Sequence, residues 1–104
     1  MSNSETEDLV IDVKDLSLDK EQYVEDLLRF LSEQLPSIEL SRNANKINVQ
    51  MPSSMARKVL KLRLKKFLHQ KALKDKYRPI AFRTPDDDQG FMIKEKKTIE
   101  LTYY

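Results

Sequence analysis

Cysteine is absent from the 104-residue chain, so neither a disulfide framework nor a thiolate metal site can be written for it, which fits an intracellular protein. Glycine occurs once, at Gly90, and one glycine cannot build a phosphate-cradling loop of the P-loop kind. Histidine also occurs once. A catalytic imidazole needs an orienting partner, so His69 reads as a surface cation or hydrogen-bond donor rather than a general base. No run of 18 apolar residues exists, and the chain opens on the acidic stretch MSNSETEDL, so no secretory leader or membrane span is expected. Asp86, Asp87 and Asp88 form a carboxylate cluster, but they lack the ligand spacing and distal glutamate of a calcium loop, and read as a solvated turn. No catalytic residue, metal site, cofactor or small-molecule substrate is expected. The enzyme classes fall away first.

What is present is charge, unevenly spread. Residues 1–40 carry 3 basic and 11 acidic side chains, a net of −8, whereas residues 41–104 carry 16 basic and 6 acidic ones, a net of +10. The formal total of +2 conceals this polarity, which points to a polyanionic partner for the second half. The length suits one domain with a modest core.

The segment Ser53 to Gln70, SSMARKVLKLRLKKFLHQ, concentrates the signal. Ala56, Leu60, Leu64, Phe67 and Leu68 recur at helical spacing and predict a buried stripe. Lys58, Lys61, Lys65 and His69 form a second stripe beside it, flanked by Arg57 and Lys66, and no acid interrupts the segment. A helix stabilised for its own sake mixes opposite charges four residues apart; this one does not. An anionic ligand would relieve the repulsion. Pro52, Ser53 and Ser54 predict its cap, with free amides beside Arg57 and Lys58 suited to a phosphate.

The remaining elements follow from spacing. Residues 1–8 predict an acidic disordered head, and residues 9–104 a single domain. Leu9–Val13 predicts a strand. A first helix is expected from Asp19, as N-cap with Gln22 closing a capping box and Leu18 and Tyr23 forming a staple, to Gln34 before Pro36. Its acidic face, including Glu25 and Asp26, is expected to point to solvent. Ser37–Leu40 and Lys46–Met51 alternate around SRNAN and predict a hairpin. Tyr77–Arg83 and Thr98–Tyr104 predict a final strand pair, with Pro79 at an edge or bulge and residues 84–90 as a loop. The expected fold is α+β: an antiparallel sheet with two helices on one face, in the order strand, helix, hairpin, helix, hairpin.

The stretch from Ala56 to Ala81, ARKVLKLRLKKFLHQKALKDKYRPIA, resembles the eukaryotic-type large-subunit ribosomal protein twenty-two family. The family's basic helix is matched at Ala56-Arg57-Lys58, Leu60-Lys61 and Lys65-Lys66-Phe67-Leu68. Its continuation is matched at Leu73-Lys74-Asp75, Arg78 and Ala81, and its closing strand at Glu100-Leu101-Thr102-Tyr103-Tyr104. The likeness spans about residues 10–104. It implies the same α+β order, a ribosomal RNA ligand in the large subunit, a cytoplasmic ribosomal location, and neighbouring ribosomal proteins as further candidates for contact. The chain departs from familiar members in its acidic start and in SRNAN, which stands where a glycine-rich turn is common.

The functional expectation is a structural constituent of the large ribosomal subunit that binds structured RNA through phosphates. Arg57, Lys58, Lys61, Lys65, Lys66 and His69 are the expected main surface, assisted by Arg42 and Lys46 of the hairpin and by Lys74 and Arg78. The alternatives are a non-ribosomal basic adaptor docking an acidic protein, and a small DNA-binding chromatin protein. No aromatic cluster of the kind that stacks unpaired bases stands out in the sequence, which favours a duplex or stem–loop target.

Overall fold

The computed structural model describes residues 6–86 and 88–96. Strand β1 (Thr6–Asp12) leads into a short helix α1 (Lys14–Asp19) and then helix α2 (Glu21–Gln34). The hairpin β2 (Glu39–Asn43) and β3 (Lys46–Pro52) precedes helix α3 (Arg57–Gln70), and the hairpin β4 (Tyr77–Arg83) and β5 (Gln89–Glu95) follows. The strands form one sheet in the order β2-β3-β1-β5-β4. The α+β class and the arrangement around two hairpins are as expected.

Alternation places the core. Leu9 and Ile11 of β1 pair with Val49 and Ile47 of β3, and Ile11 faces Phe91 of β5 across the next ladder. These side chains are buried and share one face with Met51, Ile93 and Tyr77. The helices cover this face: α1 lies against β5, α3 against β4, and α2 against α3 and β2. Val24, Leu27 and Leu31 of α2 and Leu60, Leu64, Phe67 and Leu68 of α3 form the helical side of the core. The Phe30 and Phe67 rings meet at 5.5 Å between centroids, tilted by 55°. On the opposite face Val10, Ile80, Phe82 and Met92 are half-buried, with no helix over them among the described residues.

Several boundaries differ from expectation. β1 begins at Thr6, because Thr6, Glu7 and Asp8 pair with Pro52, Met51 and Gln50; the end of the acidic head is strand, while residues 1–5 lie outside the described residues. A third helix appears: α1 buries only Leu16, and six residues are too few to display a helical period. Asp19 ends α1 rather than capping α2, whose N-cap is Lys20, and Leu18 is 76% exposed, so neither capping box nor staple forms. The partner of β4 is Gln89–Glu95 and not Thr98–Tyr104, which lies outside the described residues. The connecting turn is shorter than expected, closed by the Thr84 amide donating to the Asp88 carbonyl at 2.7 Å. Gly90 therefore belongs to the strand. Finally, β1 and β5 run parallel, so the otherwise antiparallel sheet is mixed. The helices, the first hairpin and β4 lie between these two strands in sequence, long enough for the crossover a parallel pair requires. Pro79 sits in an edge strand, where its missing donor costs least.

Candidate nucleic-acid interface

Helix α3 starts one residue beyond Ala56, which is extended (φ −72°, ψ 143°) and makes no side-chain capping bond. Ser53 and Ser54 lie in the preceding turn, where the Met55 amide donates to the Pro52 carbonyl at 2.9 Å. The expected serine-capped phosphate seat is thus not built. Arg57 is instead turned to β1, its Nε donating to Glu7 Oε2 at 3.0 Å.

From there the helix has two distinct sides. Leu60, Leu64, Phe67 and Leu68 are each at most 1% exposed. Lys58, Lys65, Lys66 and His69 are exposed and Lys61 is half-exposed. Among the described residues none of these cations has an acidic partner. In their midst stands Leu62, 53% exposed, which the sequence reading left out because it breaks the charge pattern.

The helix ends in a Schellman turn. The Leu73 amide donates to the Leu68 carbonyl at 2.7 Å and the Ala72 amide to His69 at 3.1 Å, with Ala72 in the left-handed region (φ 60°). Leu73 tucks inward, and this reversal carries Lys74 back beside the helix end. A groove of about 460 Å³ results, lined on its rim by Lys65, His69, Lys74, Arg78 and Lys96, with Asp75 as its one acid among the described residues. Leu68, Tyr77 and Pro79 form the floor. Four of the predicted residues thus converge from α3, the connector and β4. Lys96 joins them unforeseen: its amide donates to the Lys76 carbonyl at 2.8 Å, which extends β5 towards the groove.

The hairpin residues do not converge with these. β2 and β4 are opposite edges of the sheet, with three strands between them. Arg42 points to the helical side, where its guanidinium pairs with Glu21 and lies 3.6 Å from Glu25, while its Nε donates to the Ala44 carbonyl at 2.9 Å. Glu21 holds the Arg42 guanidinium still further above its ordinary range. Lys46 is exposed at the hairpin turn, remote from the groove in strand order.

The acidic half of the chain neutralises other cations. Lys71 binds Asp26 at 2.9 Å and Lys76 binds Asp19 at 2.8 Å, tying α3 to α2 and the connector to α1. Lys94 reaches Asp15 at 4.0 Å. Asp26 is therefore engaged between helices rather than merely solvated, and its carboxyl is held low by hydrogen bonds from Gln22 and then Lys71. The Asp19 carboxyl is held low by hydrogen bonds from Lys76 and then from Tyr77, whose hydroxyl donates at 2.8 Å. Burial, reinforced by Asp19, pushes the Tyr77 hydroxyl well above its ordinary range, so it remains a donor at all physiological pH values. No cluster of metal-ligating side chains occurs among the described residues.

Compared with known proteins, residues 2–84 match the model of the Ribosomal L22e protein family, from the acidic start through β4. No curated protein sequence matches the chain.

Proposed function

Because this chain belongs to the Ribosomal L22e protein family, whose members are structural constituents of the large subunit of the cytoplasmic ribosome, we propose that it is anchored there by ribosomal RNA lying along the exposed side of α3. Lys58, Lys61, Lys65, Lys66 and His69 would contact phosphates, and Lys74, Arg78 and Lys96 would continue the track beyond the helix. Arg42 and Arg57 would act in folding, through Glu21 and Glu7, and Lys46 would lie outside the interface.

The observation that carries this reading is the division among the cations. Arg42, Arg57, Lys71, Lys76 and Lys94 are paired with acids from β1, α1 and α2, whereas the cations on the α3 stripe lie side by side without an acidic partner among the described residues. Four lysines on one side of a helix repel one another. Phosphates at A-form spacing relieve that repulsion and release condensed counterions, and helical RNA is recognised mostly through its shape and backbone.

The test is Lys61→Ala combined with Lys65→Ala, measured by cosedimentation with large subunits and by RNA binding across a salt series. Both binding and salt dependence should fall, the latter by up to roughly two units of log–log slope. The circular dichroism spectrum should not change, since alanine favours helix and the buried stripe is untouched. An unaltered slope with unaltered affinity would mean the stripe is solvated surface.

A further inference from the structure

A phosphate track explains a convex row of lysines, but the end of α3 is concave. We propose that the groove there seats one unpaired nucleotide projecting from the bound RNA. Its base would stack on the exposed Arg78 guanidinium, above a floor sealed by the buried Leu68, Tyr77 and Pro79, and its phosphates would be held by Lys74 and Lys96. This inference rests on the RNA reading above and makes it more specific.

Four features support it. The volume, about 460 Å³, falls in the range of roughly 300–1,000 Å³ typical of small-molecule sites. A base pair in a helix cannot enter such a recess, whereas a splayed nucleotide can, and RNA-binding proteins stack unpaired bases on aromatic rings or on arginine planes such as the one Arg78 supplies here. The floor is rigid: the Tyr77 hydroxyl is fixed by Asp19, Lys76 lies over the Tyr77 ring at 5.6 Å, and the Schellman turn fixes Leu68 against Leu73. Most important, Lys65 and His69 belong to both the stripe and the groove. A strand following the stripe is delivered to the recess without leaving the positive field. Continuity with the stripe favours a nucleotide over an acidic peptide, because the ligand on the stripe already carries one.

The full chain should be titrated against two fluorescent RNAs: a duplex of about 16 base pairs, and the same duplex carrying one unpaired uridine. The bulged probe should bind about tenfold more tightly, the worth of one stacked base. Replacing Lys74 and Arg78 together by alanine should erase that preference without changing the thermal melt, since both side chains are exposed. Replacing Lys58 and Lys61 should weaken both probes by the same factor. Equal affinity of the wild type for the two probes would overturn the nucleotide seat and leave RNA binding standing. A preference that survived in the Lys74/Arg78 variant would also overturn it, because recognition would lie elsewhere. Failure to bind either RNA would remove the RNA reading itself, and the seat with it.

Discussion

Gly90→Ala should be among the most damaging single-methyl additions this chain can receive. Gly90 lies within β5, opposite Val10 in the parallel ladder with β1 and opposite Phe82 in the antiparallel ladder with β4. Its φ is +156°, which L side chains rarely adopt. A Cβ built there would sit 1.8 Å from the Val10 carbonyl oxygen, 2.6 Å from its nitrogen and 2.8 Å from its carbonyl carbon. These are backbone atoms of a central strand and cannot swing aside as a side chain would. Either residue 90 changes conformation or β5 moves off β1. The first costs of order 1–3 kcal/mol of backbone strain, and the second loses ladder hydrogen bonds at about 1 kcal/mol each. A destabilisation of about 1–3 kcal/mol follows, a large share of the roughly 5–15 kcal/mol typical of a domain. Urea denaturation followed by far-ultraviolet circular dichroism should show a lower midpoint with an unchanged slope. The thermal midpoint should drop by at least about 4 °C, taking roughly 4 °C per kcal/mol as the lower bound for a domain of this size. A loss below about 0.5 kcal/mol, the scatter of ordinary surface substitutions, would refute the reasoning: the close approach of β1 to β5 would not be what requires glycine.

Ala72→Gly should have the opposite sign. Ala72 holds φ 60° in the Schellman turn, a conformation costing an L-residue roughly 1–2 kcal/mol, so glycine should stabilise by about 0.5–1 kcal/mol after its extra chain entropy, read as a higher urea midpoint. Leu64→Ala should destabilise by about 2–5 kcal/mol, because Leu64 is fully buried, and should reduce RNA binding only in proportion to the unfolded fraction seen by circular dichroism. Stability should also fall in acid. The Asp19, Glu21 and Asp26 carboxyls are all held below their ordinary ranges, so their contribution is present above those ordinary values, 3.8 for Asp19, and lost as pH falls through the depressed ones. Asp19→Asn should therefore lower the urea midpoint near neutrality, and the gap between variant and wild type should close as the pH falls well below 3.8.

Legibility in the sequence followed the length and period of each element. The stripe of Leu60, Leu64, Phe67 and Leu68 repeats over enough turns to be read directly, and all four are buried. The alternation of Ile47, Val49 and Met51 located β3 and its inward face in the same way. α1 was illegible because its six residues bury a single leucine. β5 was misplaced because the aspartates and Gly90 together imitate one long turn, whereas Gly90 is set inside a strand by the approach of Val10, a long-range contact with no local signature. Among the candidate residues, the shared exposed side of Lys58, Lys61, Lys65, Lys66 and His69 was legible from spacing, whereas the convergence of Lys74 and Arg78 on the groove was not, since it depends on the Schellman turn. Arg42 looked like a free cation because pairing with Glu21 across 21 positions cannot be read from local charge. Lys96 was missed for the converse reason: only the extension of β5 brings it to the groove.

The acidic first half takes on a purpose once these pairings are known. Exposed ion pairs are individually worth only about 0–1 kcal/mol, so stability alone is a weak reason to direct acids at Arg42, Arg57, Lys71, Lys76 and Lys94. Their larger effect is on the field. A polyanion is drawn to wherever positive charge is uncompensated, and a chain with 19 lysines and arginines would otherwise attract it over much of its surface. Pairing these five cations leaves the outer side of α3 and the groove at its end as a contiguous run of cations without ion pairs among the described residues. Counterion release then scales with the cations that meet phosphate, not with the total. If Lys58, Lys61, Lys65, Lys66, Lys74, Arg78 and Lys96 each meet one phosphate, the salt slope should be about 5–6, far from the value the full complement of basic residues would give. On the RNA reading proposed above, β1, α1 and α2 would thus shape the interface without entering it, by engaging cations that would otherwise stand available.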